Sequence, residues 1–463
     1  MEASVRNPGK TARMIYYDIT DLLDHFRHCL RVGGVARVST ATIAHFQDIA
    51  QKGDYCLIAY HPVLKKTVVT DSTFPPGALS GPAFSAFFGM RYKGPHPLDA
   101  FLARRYRSRF WRVIHKLRLS ASNALTGGKT YRRKGVGVIA GADKDLGRAV
   151  WREPEFAKGD VAFISGGTRS FGRFQSFMEA ARRDQGVRIV QFLHDILPIT
   201  DPEFFMQGHP MLFADWLVRV NAASDLIIAT TRQTAEDYKT AITQRGEKAA
   251  PVSVVALAHE FLENAAQAQF TPLYEQISTP VLQAARLPYV LCVGTREIRK
   301  NNLGLARVWE SLRQKHDLKL PRLIFAGRQG WMNEEFDRFL QRTGNANGSI
   351  VMVESPSDDE VAYLYKNCLF SVFPSFCEGW GLPIGESLWY GRPAITSNCS
   401  AMPEVAGEYA DYADPYDLET LKAAVERMLD PAYRQARVEA IAGMKKRNWK
   451  NFSDDLWREL KSA

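Results

Sequence analysis

The sequence predicts an α/β protein of two doubly wound, Rossmann-like domains, each built on its own parallel sheet. Three observations lead there. At 463 residues the chain exceeds what one ordinary core supports, and two domains of roughly 200 residues each is the default expectation. Short apolar runs alternate with helix-periodic stretches nearly throughout, the pattern of parallel strands joined by crossover helices. Residues 260–287 carry little strand signal and divide that alternation into two halves.

In the first half, strands are predicted at Met14–Ile19, Tyr55–Tyr60, Val161–Ser165, Arg188–Leu193, Asp225–Ala229 and Val252–Leu257. Helices are predicted there at Val35–Gln51, Phe171–Gln185, Met211–Ala223 and Thr231–Gln244. In the second half, strands are predicted at Tyr289–Val293, Arg322–Ala326, Ile350–Val353, Leu369–Phe373 and Ala394–Ser397. Its helices fit Asn302–Lys315, Asn333–Gln341, Asp358–Lys366, Leu382–Trp389 and Leu418–Met428. The expected division is an N-terminal domain over 1–259, a linker over 260–287, a C-terminal domain over 288–430, and a helical segment over 431–463 that crosses back to the first domain.

One segment breaks the rhythm. Residues 75–133 open with Pro and Gly and then place Phe101, Tyr106, Phe110, Ile114 and Leu117 at helical spacing among arginines, reading as an insertion on the N-terminal domain. Residues 91–134 hold 13 Lys or Arg against one acid, a net +12 in a chain whose total is +10. The rest of the molecule is therefore slightly acidic, and the basic segment is expected to dock on an anionic membrane surface. No apolar run approaches a membrane span, and MEASVRNPGKTARM shows no apolar leader. The six cysteines form no CxxC pair, and several sit in apolar runs, which fits a reducing, cytoplasmic setting.

The stretch most informative about chemistry is FPSFCEGWGLPIGESLWYGRP, Phe373–Pro393. A strand end leads into a glycine-rich turn and then a helix opening at Leu382-Pro383, where proline's missing N–H is harmless. Free backbone N–H groups at such a helix start, with the Gly379–Gly381 turn, suit a diphosphate. Glu378 precedes the turn and Glu386 lies one turn into the helix, each placed to accept hydrogen bonds from sugar or ribose hydroxyls. Asp143-Lys144-Asp145 spells a possible metal motif but lies in a polar stretch far from this turn, so no metal and no cofactor is expected.

PSxxEGWGLPIxE, followed by Gly391-Arg392-Pro393 and Met402-Pro403-Glu404-Val405-Ala406-Gly407, closely resembles glycosyltransferase family 4. LCVGTREIRKNNLGL, AGRQGW, SPSDDEVAYLY and ADPYD follow in that family's order. In the first half, DITDLL with RVGGVARV, HDILPI and TTRQTAEDY resemble a bacterial polysaccharide subgroup. The resemblance implies the GT-B fold, two Rossmann-like domains facing a central cleft, with the donor on the C-terminal domain and the acceptor on the N-terminal one. It implies a retaining transfer of a hexosyl residue, with GDP-mannose the favoured donor, to a glycan or a polyprenyl-diphosphate-linked glycan at the inner face of the cytoplasmic membrane. His194, Lys300 and Glu378 would be catalytic. Gly33, Gly34, Thr295, Arg299, Lys300, Gly379, Trp380, Gly381, Leu382 and Glu386 would bind the donor. Thr295 stands where many members carry arginine, leaving Arg296 or Arg299 to substitute, and Gly385 stands where leucine is usual.

Two other classes compete. A sugar-nucleotide epimerase can share this fold and would need no acceptor. A nucleic-acid-binding protein would use the basic segment, but no recognised binding module surrounds it and the donor motifs would go unexplained.

Overall fold

The computed structural model describes residues 13–28, 33–49, 54–61, 64–71, 84, 87–88, 149–166, 171–262, 277–316 and 319–463. The segment 91–134, Asp143–Asp145 and most of the insertion 75–133 lie outside the described residues. Of that insertion, Phe84, Phe87 and Phe88 are described; they are buried in the N-terminal core, Phe84 against Phe26 with ring centroids 4.8 Å apart.

The first sheet has seven strands: β1 (Ile15–Asp18), β2 (Tyr55–His61), β3 (Lys66–Thr70), β4 (Val161–Ile164), β5 (Arg188–Leu193), β6 (Leu226–Ala229) and β7 (Val252–Val254). Their spatial order is β3-β2-β1-β4-β5-β6-β7. The second has six: β8 (Tyr289–Val293), β9 (Arg322–Gly327), β10 (Ile350–Glu354), β11 (Ser371–Phe373), β12 (Ala394–Ser397) and β13 (Ala410–Ala413), ordered β10-β9-β8-β11-β12-β13. Strand order reverses between β1 and β4 in one sheet and between β8 and β11 in the other, and open α/β sheets bind ligands at such points, beyond the carboxyl ends of the strands.

The parallel expectation needs one correction. β3 pairs antiparallel with β2, Leu57 opposite Thr70, so the first sheet is mixed at one edge. Lys66–Thr70 follows β2 too closely for a crossover helix, and a strand that returns at once can only pair antiparallel.

Helices of eight or more residues flank the sheets: α1 (Thr20–His28), α2 (Val35–Ile49), α3 (Phe171–Gln185), α4 (His209–Ala223), α5 (Arg232–Thr243), α6 (Asn302–His316), α7 (Glu334–Gly348), α8 (Asp358–Asn367), α9 (Leu382–Trp389), α10 (Leu418–Leu429), α11 (Pro431–Ala442) and α12 (Trp449–Ser462). Within α7, residues Gly344 to Asn347 adopt left-handed dihedrals, so the right-handed helix ends near Thr343. No helix among the described residues is long and apolar enough to cross a membrane.

The last helix belongs spatially to the first sheet. Asn448 caps it in a reciprocal capping box with Asn451, and its apolar stripe Trp449, Phe452, Leu456 and Leu460 is fully buried. Trp457 meets Phe46 of α2 at 4.9 Å, and Phe452 meets Phe192 of β5 at 6.0 Å. Phe452→Ala removes a wholly buried ring from this seam and is expected to destabilise the protein by about 3–5 kcal/mol, read from denaturant midpoints.

Candidate functional site

The site is assembled where the two reversal points face each other. On the C-terminal side, β11 ends at Phe373 and the chain enters the turn Glu378 to Gly381. Gly381 adopts φ 97°, a conformation that favours glycine, and hands the chain to α9 without a side-chain cap; Pro383 has no N–H and the Ile384 N–H donates to the Gly381 carbonyl at 3.0 Å. Gly379 is pressed against the other domain: a Cβ there would lie 2.3 Å from the His194 carbonyl oxygen and 2.6 Å from Asp195 Cβ. The Thr230 hydroxyl sits between the same two segments, 2.9 Å from His194 O and 3.0 Å from Gly379 O.

Beside the turn, Lys300 Nζ contacts Glu378 Oε1 at 2.5 Å and Arg299 Nη1 contacts Glu378 Oε2 at 2.6 Å. The side chains are nearly covered, at 13%, 14% and 8% exposure for Lys300, Arg299 and Glu378, so their fields are little screened by water. Burial alone would raise the Glu378 carboxyl, but Arg299 and Lys300 overcome it and hold the group down to about 2. Arg299 is shared further with Glu297 at 2.6 Å and donates to the Cys377 carbonyl at 2.8 Å. Lys300 also stands over the Phe373 ring at 4.6 Å.

Thr295 and its neighbours lie on the loop after β8. Gly327 and Gly330 let the following β9 loop lie flat on it, since a Cβ at Gly327 would meet Gly294 O at 1.9 Å. Arg296 turns away, to Glu354 at 2.5 Å and to Gly327 O at 2.9 Å. Of the two arginines offered by the sequence in place of the one usual at position 295, Arg299 is the one that joins Lys300.

Glu386 is buried one turn into α9, and burial pushes its carboxyl up, opposed by Arg37. Arg37 comes from α2 in the other domain and forms an ion pair with Glu386; its other nitrogen reaches Asp358 Oδ1 at 2.8 Å. The Tyr365 hydroxyl donates to Glu386 Oε2 at 3.1 Å, and Arg37 lies over the Phe261 ring at 4.6 Å. Gly33 and Gly34 precede α2, and among the described residues no atom lies within 4 Å of an added Cβ at either. At Gly385 the place of the usual leucine is taken by His259, whose Cα would lie 3.0 Å from a Cβ. Trp380 is buried with its ring 6.4 Å from that of His259, while Leu382 is half-buried against the core.

His194 follows β5 directly and points its Nε2 at the Ser165 carbonyl, 3.2 Å away. Burial drives its imidazole down to about 4, so it is neutral at pH 7 and Nε2 carries the proton. Asp195 beside it is raised by burial and drawn back by Arg299. The sequence reading missed Arg37, Asp195, Asp358 and Tyr365. Arg37 and Asp195 stand inside motifs already singled out, RVGGVARV and HDILPI, while Asp358 and Tyr365 belong to SPSDDEVAYLY. No cluster of metal-ligating groups occurs among the described residues.

Residues 275–444 match the family described as Glycosyl transferases group 1. Escherichia coli O-antigen chain mannosyltransferase B is 35% identical over 37% of this chain and 46% of its own length. The E. coli serotype-specific mannosyltransferase WbdA is 27% identical over 58% of this chain and 33% of its own. The chain thus spans less than half the length of these curated relatives. Among solved structures, Anabaena Alr3699/HepE in complex with UDP and glucose superposes with a TM-score of 0.57 at 13% identity, covering 97% of this chain and 100% of that one. Sucrose-phosphate synthase from Thermosynechococcus elongatus gives 0.52 at 16% identity, covering 97% and 99%. The fold is the two-domain GT-B arrangement.

The neutral His194 makes a pH prediction. Its folded pKa is depressed from the ordinary 6.5 to about 4. The unfolded chain therefore takes up a proton as pH falls through 6.5 while the folded one does not. The stability present above pH 6.5 declines between there and about pH 4 for this reason. His194→Asn is expected to flatten that decline relative to wild type in urea titrations across pH 4–7, with the two curves parallel above pH 7.

Proposed function

We propose that this chain is a retaining, family 4-like hexosyltransferase that moves a sugar from a nucleotide donor, GDP-mannose foremost, to a glycan or polyprenyl-diphosphate-linked glycan in surface polysaccharide synthesis. The observation that carries the reading is the buried Lys300–Glu378–Arg299 cluster beside a glycine turn and a helix N-terminus, closed from the opposite side by His194. Such a site meets a diphosphate with two cations and a helix N-terminus already held in place, so little reorganisation is needed as charge builds on the leaving group. The mannosyltransferase relatives favour mannose, and the UDP and glucose of the Anabaena structure favour a nucleotide-sugar donor.

In this reading the bond from the sugar's anomeric carbon to the diphosphate oxygen breaks. The electron pair leaves on the diphosphate, which Lys300 and Arg299 neutralise together with the Thr295 loop and the Gly33-Gly34 turn. The acceptor hydroxyl bonds to the anomeric carbon on the same face and passes its proton to the departing phosphate. Glu378 holds the cations in register and, with Gly379, Trp380, Gly381 and Leu382, faces the transferred sugar. The neutral His194 contacts that sugar from the other domain. Glu386 takes the ribose hydroxyls, which exchange with or share its contact to Arg37. Acceptor binding falls to residues 1–259 and donor binding to 288–430, with 91–134 holding the enzyme peripherally at the inner face of the membrane.

Hydrolysis and transfer across a panel of GDP-, UDP- and dTDP-sugars tests the proposal; absence of turnover with all of them overturns it, and conversion of the donor without transfer identifies an epimerase. Lys300→Ala is expected to lower turnover by roughly 10²–10³-fold, the scale for one electrostatic group in a closed site. Turnover is expected to persist in EDTA, because the diphosphate charge is met by side chains and a helix N-terminus; loss with rescue by manganese or magnesium would refute that part.

A further inference from the structure

A second hollow lies outside the Lys300–Glu378 cluster. It encloses about 440 Å³, within the range of pockets that hold small ligands, and is lined among others by Phe204, Glu297, Arg307, Met332, Phe376 and Tyr416. Neither Lys300, Arg299 nor Glu378 lines it. Both domains build it: Phe204 of the N-terminal domain stacks on Phe376 with centroids 5.0 Å apart and planes 6° from parallel. Tyr416 continues this aromatic step at 4.9 Å from Phe376 and is 68% exposed, so one ring face is open to solvent. Trp331 Nε1 donates to the Phe204 carbonyl at 3.1 Å and fixes the step across the domain boundary.

The polar side of the hollow is equally specific. Glu297 is 3% exposed; its Oε1 takes Arg299, and its Oε2 is buried with no hydrogen-bond partner among the described residues. A buried acceptor left in that state is unfavourable and gains from a donor entering the hollow. The charges around it balance, Glu297 against Arg299 and Glu335 with Arg307 in the lining, so the hollow carries no excess of cations to draw a phosphate. An aromatic face, a carboxylate oxygen waiting for a donor, and charges that balance one another fit a neutral polyol with one apolar C–H face. That is the description of a sugar ring.

We propose that this hollow is a glycan subsite holding a saccharide residue of the acceptor chain beyond the one that receives the transferred sugar. The proposal rests on the transferase reading for its role. Its place agrees with that role: Glu297 joins Arg299, and Arg299 joins Glu378, so the occupant lies two ion pairs from the donor turn.

Saturation-transfer NMR with mannotetraose, methyl α-mannopyranoside and GMP tests it without needing turnover. Wild type is expected to bind the tetrasaccharide, and Tyr416→Ser or Arg307→Ala to weaken that binding about tenfold, the scale of one lost stacking or charged contact. Donor hydrolysis and the melting temperature are expected to stay at wild-type values in both variants. Tetrasaccharide binding equal in wild type and both variants overturns the proposal, as does no binding by wild type at millimolar sugar. Loss of GMP binding in place of sugar binding in Tyr416→Ser also overturns it, by identifying a nucleotide site. If no nucleotide sugar is turned over while tetrasaccharide binding and its dependence on Tyr416 persist, the transferase reading fails and the glycan subsite stands.

Discussion

The two domains press backbone against backbone where Gly379 meets His194. Gly379 leaves no room for even a methyl group before the His194 carbonyl, and any side chain there would hold the sheets apart. The contacts around it presuppose that approach. Thr230 bridges the two carbonyls, and Glu404 accepts from the Arg232 and Gln233 N–H groups at 3.0 and 2.8 Å, extending the cap of α5 with a carboxylate from the other domain. Arg37 reaches Glu386 and Phe376 reaches Phe204 under the same condition. A glycine selected for its absent side chain thus sets the spacing at which opposite walls of the cleft can act on one ligand.

Charge in the cleft is arranged so that each buried ion already has a partner. Glu378 satisfies two cations that would otherwise repel each other, and Arg37 and Tyr365 divide the two oxygens of Glu386. Removing one member of such a set strands the others in a medium that solvates ions poorly. An incoming anion therefore finds cations held at fixed positions, which is the electrostatic form of preorganisation.

Much of this was legible in the sequence. β5, β8, β12, α3 and α9 fall where apolar period and the glycine and proline punctuation place them. These are buried parallel strands, or helices whose ends are written in the chain as a glycine turn or a Leu-Pro start. The elements missed are of another kind. α1 follows β1 after one residue with no glycine or proline to mark its start, and β3 and β13, at five and four residues, are too short to show a period. Nothing local marks Arg37, a helical arginine that pairs with residues more than 300 positions away. The departure from leucine at Gly385 has no local explanation either, because its neighbour, His259, is distant in the chain. Local rules reach as far as secondary structure and turns, whereas contacts between domains depend on how the sheets are set against each other.

The return of α12 to the first sheet means that the chain passes between the domains twice, once near residue 260 and again near 447. These two passages are bound to each other. His259 N donates to Arg447 O and Arg447 N donates to His259 Nδ1, both at 2.9 Å, and Trp449 donates from its backbone and its indole to Glu260. A single connecting strand would leave the halves free to twist, tilt and slide. Two strands laced side by side resist both sliding and twist. Whatever enters the cleft therefore meets walls whose register, Gly379 against His194, is held from the far side by this lacing.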